Sequence, residues 1–135
     1  MANPLTMVDL DGYVLEWRAQ PGAWIGFDLD GTLAEYRGWR GPEHIGPPIL
    51  QNVRRVQLLL TLGIEVRIFT ARVYCVAEQD PRDREQAVRL IEEWCLQHIG
   101  QVLPVTCQKD FGCVQIWDDR AVAVEPNTGR ILGGM

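Results

Sequence analysis

Three apolar runs in this chain end abruptly in polar or charged residues: "AWIGFDLD" at Ala23 to Asp30, "IEVRIFTAR" at Ile64 to Arg72, and "VQIWDD" at Val114 to Asp119. Short apolar runs suit strands covered on both faces, as in a parallel sheet, with the polar residues at their carboxyl ends meeting solvent. Between the first two runs lies "PPILQNVRRVQLLLTLG". Pro47 and Pro48 mark a helix start, Ile49, Val53, Val56, Leu59 and Leu60 recur at helical spacing, and Gly63 is the stop. Pro81 to Gly100 reads as a second helix with Ala87, Leu90, Ile91, Trp94 and Cys95 on one face. "LPVTC" is a further short strand. Strands alternating with helices predict an α/β domain with a mostly parallel sheet, in which ligands bind at the carboxyl edge. A chain of 135 residues is the size of one domain and buries most of its apolar surface without disulfides.

The flanks are simpler. Residues 1–22 read as an N-terminal edge strand and turn, with "YVLEW" alternating and Asp9 and Asp11 as acids of an exposed turn. "GTLAEYRGWRGPEHIG" is rich in Gly and charge, so residues 33–48 are expected to form a flap. "VAVEPNTGRIL" is expected to be a hairpin turning at Asn127 to Gly129.

Composition excludes several classes. No run approaches the roughly 18 apolar residues of a membrane span, and "MANPLTMVDLDGY" lacks the basic start of a secretion signal, so a cytoplasmic location is expected. Cys75, Cys95, Cys107 and Cys113 contain no C-x-x-C pair and suit free thiols in a reducing compartment. Cys95 and His98 form a C-x-x-H without the two further ligands that zinc needs. A net charge of −5 argues against a large nucleic-acid surface while leaving room for a local basic patch.

Four polar groups stand at the predicted strand ends: Asp28 with Asp30, Thr70 with Arg72, Lys109, and Asp118 with Asp119. Such a set fits phosphoryl chemistry for an electrostatic reason. A phosphate dianion nearing a carboxylate is repelled by roughly 4 kcal/mol per charge pair at 4 Å and an effective dielectric of 20. A divalent cation among the carboxylates, with a lysine and hydroxyl donors on the phosphoryl oxygens, reverses the sign. Asp28 can then attack phosphorus, while Asp30, two residues on, acts as acid and base and Leu29 faces the core.

"DLDGT", "IFTAR", "QKDFG" and "IWDDR" resemble motifs one to four of the haloacid dehalogenase (HAD) superfamily of phosphohydrolases, in order, over roughly Ala23 to Val124. The resemblance implies a single doubly wound, Rossmann-like sheet with helices on both faces, and a Mg²⁺-dependent phosphatase working through an aspartyl-phosphate. It makes Asp28 the nucleophile and Asp30 the acid/base. Mg²⁺ would be held by Asp28, the Asp30 backbone carbonyl and Asp118 or Asp119, and the phosphoryl group by Thr70, Ala71, Arg72 and Lys109. An acid at Asp30 favours phosphate over dehalogenase chemistry. The 38 positions from Thr32 to Thr70 and 39 from Thr70 to Lys109 leave no room for an inserted cap. Open members of the family take bulky or macromolecular phosphates, or borrow a lid from a second copy in a homo-oligomer. "TAR" also resembles the motif-two tripeptide of the phosphatase domain of polynucleotide kinase/phosphatases, which raises a polynucleotide 3′-phosphatase or nucleotidase as an alternative.

Arg72 has two readings here, a phosphate contact or a surface salt bridge. So does the flap: Tyr36, Arg37, Trp39, Arg40 and His44 either grip a phosphorylated ligand or are steadied by a buried Trp39. Trp94 and Trp117 are expected in the core, and His98 at a helix end favoured by the helix dipole. A phospho-receiver module also combines Mg²⁺, Asp, Thr and Lys, but places its acidic pair first in the chain, whereas here the pair is last. A catalytically idle binding protein is the remaining alternative.

Overall fold

The computed structural model describes residues 5–74 and 80–133, so Cys75 lies outside the described residues. Two strands, β1 (Leu5–Leu10) and β2 (Tyr13–Arg18), pair antiparallel with Leu10 opposite Tyr13, so Asp11 and Gly12 form a two-residue loop. Both have positive φ, 55° and 93°, the type I′ geometry whose twist matches the flanking strands and which favours Asp-Gly. Asp9 Oδ1 accepts a hydrogen bond from the Gly12 N–H at 2.8 Å. The first "DLDG" is therefore a hairpin turn. The edge strand expected in this region has a partner, because "LTMVDL" alternates too: Val8 and Leu10 on β1, and Leu15 and Trp17 on β2, point into the core.

The remaining strands form one parallel sheet in the order β5 (Val105–Thr106), β4 (Val66–Phe69), β3 (Trp24–Phe27), β6 (Cys113–Trp117). From β3 the chain steps outward to β4 and β5, then returns to the far side of β3 as β6. All four residues of β3 are buried, as an apolar run at the centre of a sheet must be. β5 is only two residues long, and "VAVEPNTGRIL" contains a single bridge, Val124 to Ile131, around the expected turn.

Helix α1 (Leu50–Thr61) begins after Pro47 and Pro48, not on them. Those prolines belong to a short pairing in which the Glu35 N–H donates to Pro47 O and the Ile49 N–H to Leu33 O, closing the base of the flap. The helix ends in a Schellman turn: the Gly63 N–H reaches Leu60 O and the Ile64 N–H reaches Leu59 O, with Gly63 at φ 80°. Helix α2 (Pro81–His98) is capped by Asp80, whose side chain accepts from the Arg82 N–H. Val53, Val56 and Leu59 of α1, and Ala87, Ile91, Trp94 and Cys95 of α2, join β3 and β4 in the core. Leu60 and Leu90 are half-buried. Among the described residues no helix is long and apolar enough to cross a membrane.

Trp94 is buried as expected, whereas Trp117 is only partly so. It lies on edge strand β6 between the Phe27 ring, stacked at 5.1 Å, and the Tyr13 ring at 5.5 Å. The hairpin is thereby tied to the sheet, and Gln115 Nε2 donates to Tyr13 Oη at 2.7 Å. Ile68, fully buried on β4, tests this packing: Ile68→Ala is expected to destabilise the chain by about 2–5 kcal/mol in a denaturant titration.

Candidate functional site

Register assembles the acids. Phe27 of β3 pairs with Trp117 of β6, and the Asp28 N–H donates to Trp117 O at 2.9 Å, so the next residues on each strand, Asp28 and Asp118, leave the sheet side by side. Asp119 follows. One carboxylate oxygen from each of Asp28, Asp118 and Asp119 lies within 4.8 Å of the others. Among the described residues no cation-bearing side chain is hydrogen-bonded to any of the three. Burial, then a hydrogen bond with Asp119 and the charges of Asp118 and Asp119, push the Asp28 carboxyl from its ordinary 3.8 up to about 7. Hard carboxylate oxygens this close, with their charge uncompensated, suit a divalent cation such as Mg²⁺.

Thr32 organises this group. Its hydroxyl accepts from the Asp119 N–H at 3.1 Å and lies 3.2 Å from Asp119 Oδ1 and 3.5 Å from Asp28 Oδ2. Thr32 was visible in "DLDGT", but nothing in the pattern said that its hydroxyl would tie the first motif to the fourth. Gly31 has φ 91°, and a Cβ there would collide with the Asp119 carboxylate, so the close approach requires glycine. The Thr32 carbonyl is held in turn by Asn52 Nδ2 at 2.8 Å, Asn52 Oδ1 by Arg55 Nη1 at 2.7 Å, and Arg55 pairs with Asp11 at 3.4 Å. One acid of the first "DLDG" thus stands at the far end of a polar chain that begins beside the second copy, at Thr32.

Asp30 also lines the cleft, while Leu29 between the two acids is fully buried. Arg72 grips Asp30 with both arms of its fork, Nε to Oδ2 at 2.7 Å and Nη2 to Oδ1 at 2.9 Å. The same guanidinium donates to Pro42 O and His44 O in the flap and lies 4.9 Å from the Trp39 ring centroid. With only 6% of its side chain exposed, Arg72 is not a surface salt bridge: it locks the flap to Asp30 and also lines the cleft. Trp39 is 59% exposed, so the flap is not steadied by a buried Trp39. Its base is held instead by Trp94, whose Nε1 donates to Gly46 O.

Thr70, buried, ends β4 and caps a single 3₁₀ turn at Ala71–Val73, its hydroxyl accepting from the Arg72 N–H at 3.1 Å. Thr70 and Ala71 line the same cleft of about 830 Å³ as the acids. Trp39 lines it too, whereas Arg37 and Arg40 line a smaller cavity of about 190 Å³ that meets it at Asp30 and Tyr36. Lys109 is exposed and lies outside the cleft lining. Its neighbour Asp110 anchors that loop by accepting from Trp24 Nε1 and the Gly112 N–H. Cys95 is buried, which pushes its thiol up to about 11, and His98 packs on Trp94 at 4.8 Å. No cation-sized group of ligands contains either of them among the described residues.

The fold and site define an α/β domain with a carboxylate cluster at the carboxyl edge of a parallel sheet. No protein-family model and no curated protein matches the chain. Among solved structures it is similar to a conserved protein from Bacteroides thetaiotaomicron, at 20% identity over 73% of this chain and 76% of the other, with a TM-score of 0.48.

The raised Asp28 carboxyl has a consequence for stability. The unfolded chain releases this proton near 3.8 and the folded chain only near 7, so between those values the unfolded state binds fewer protons and stability falls as pH rises. Screening of a carboxylate that is partly exposed reduces the loss to on the order of 1–2 kcal/mol. In chelator, the melting temperature is expected to fall from pH 4 to 7 by more in the native chain than in Asp28→Asn, with Mg²⁺ restoring most at pH 8. Thr32→Val strands the Asp119 N–H, and is expected to cost about 1–3 kcal/mol and shrink the Mg²⁺-induced rise in melting temperature.

Proposed function

We propose that this chain is a Mg²⁺-dependent phosphatase of the HAD type, hydrolysing a phosphate monoester through an aspartyl-phosphate, and that its sheet is the doubly wound sheet of that family. The observation that carries this reading is the triad of Asp28, Asp118 and Asp119 at adjacent strand ends, beside Asp30 and Thr70 in one cleft. Mg²⁺ bound there supplies the positive charge that lets a phosphate dianion approach the acids.

The chain's own residues do the rest. Asp28 attacks phosphorus, and the bond to the leaving oxygen breaks as Asp30 gives that oxygen a proton. Asp30 then takes a proton from the water that attacks the aspartyl-phosphate, and Asp28 is released with phosphate. Arg72 occupies about two of the four lone-pair sites of the Asp30 carboxylate, fixing its direction and leaving the others for this exchange. Thr70 offers its hydroxyl to the phosphoryl oxygens. Lys109 is the cation assigned to them by the family pattern, and its place outside the cleft lining makes it the assignment most in need of a test.

Release of phosphate from para-nitrophenyl phosphate is expected with Mg²⁺ and not in excess chelator. Activity surviving in Asp28→Asn would sink the reading. Asp30→Asn and Lys109→Ala are each expected to cost at least ~10² in kcat/KM; a loss below about threefold for Lys109→Ala would remove it from the site. Cation binding without turnover on a broad panel would leave a binding module instead.

A further inference from the structure

Resting on that reading, we infer that the cleft takes a phosphate monoester carried on a planar aromatic group of nucleoside size. The cleft is larger than a phosphoryl group and its cation require: about 830 Å³ falls in the roughly 300–1,000 Å³ range of pockets that enclose an entire organic ligand. Its lining is mixed. Asp28, Asp118, Asp119 and Thr70 supply the polar groups, while Tyr36 and Trp39 from the flap and Phe69 and Tyr74 from the end of β4 and the turn after it supply aromatic surface.

These rings are not the rim of a core. Tyr36, Trp39 and Tyr74 are 49%, 59% and 53% exposed, although aromatic side chains ordinarily bury most of their surface. Three exposed rings lining one cleft offer flat apolar faces on which an aromatic ligand stacks. One face of the Trp39 ring is covered by the Arg72 guanidinium, which is fixed by four hydrogen bonds to Asp30, Pro42 and His44. That backing holds the ring in place before a ligand arrives. Asp83 and Gln86, from the first turns of α2, complete the lining with acceptors and a donor for sugar hydroxyls or an exocyclic amine. A sugar phosphate or a phosphorylated aliphatic side chain has no flat face to offer these rings.

The shared chemistry, a phosphorylated nucleoside, has two sources, a free mononucleotide or the end of a nucleic-acid strand. The test compares kcat/KM in Mg²⁺ for adenosine 5′-monophosphate, adenosine 3′-monophosphate, a 3′-phosphorylated oligonucleotide and ribose 5-phosphate. At least one nucleoside phosphate is expected to exceed ribose 5-phosphate by about tenfold or more, the scale of one base stacked on an aromatic side chain. The best of the three identifies the source. Tyr36→Leu and Tyr74→Leu are expected to collapse that ratio, which a general loss of folding would not do. Phosphate release at equal efficiency from all four overturns the inference and leaves the phosphatase standing, as does a preference that survives both substitutions. Adenosine, which cannot turn over, separates the other case by ligand-observed NMR. If nothing releases phosphate but adenosine binds and loses binding in Tyr74→Leu, the phosphatase fails and the aromatic stacking stands; if adenosine does not bind either, both fail.

Discussion

The hydrogen bond from the Asp28 N–H to the Trp117 carbonyl is the constraint around which this molecule is arranged. It extends the β3–β6 ladder by one step and forces two acids to emerge together from neighbouring strands. Left alone they repel, and the Asp28 carboxyl is pushed upward by burial first, then by its hydrogen bond with Asp119 and the charges of Asp118 and Asp119. The surroundings relieve it only partly. The Thr32 hydroxyl and the Asp119 backbone hold the geometry, and among the described residues no cationic side chain is hydrogen-bonded to the three acids.

Arginine lines the same cleft as these acids, at Arg72 and Arg120. Arg72 serves Asp30 and the flap together. A lysine could not grip a carboxylate and two carbonyls from one planar fork. The two aspartates of one D-x-D, separated by a single buried leucine, therefore live in different electrostatic settings: one among acids, the other against a guanidinium.

The central elements were legible because they obey simple periodicities. The apolar runs became β3, β4 and β6, and the 3.6-residue patterns became α1 and α2. Leu5–Leu10 was harder to see, since a Pro at position 4 and a mixture of polar and apolar residues obscured a strand whose two inward residues count most. Pro47 and Pro48 look like a helix start, yet their fixed φ also suits the extended pairing that closes the flap. At the site, residue types were readable and side-chain commitments were not. Thr70, Ala71 and the acids line one cleft, as their strand ends implied. That Arg72 would turn toward Asp30, that Thr32 would bridge, and that Lys109 would stay outside the lining depended on loop paths with no periodic signal. The aromatic residues from separate segments, Tyr36, Trp39, Phe69 and Tyr74, meet only in three dimensions.

The path from Asp11 through Arg55 and Asn52 to the Thr32 carbonyl gives the hairpin a standing that its distance along the chain conceals. All four motifs lie downstream of residue 22, so a trimmed chain beginning at β3 would keep every residue assigned to chemistry. It would lose the turn that braces Arg55 and the Tyr13 ring that closes over Trp117. The smallest unit that carries the motifs and the smallest unit that carries the site are therefore different pieces of polypeptide, and grafting or minimising this domain must respect the second.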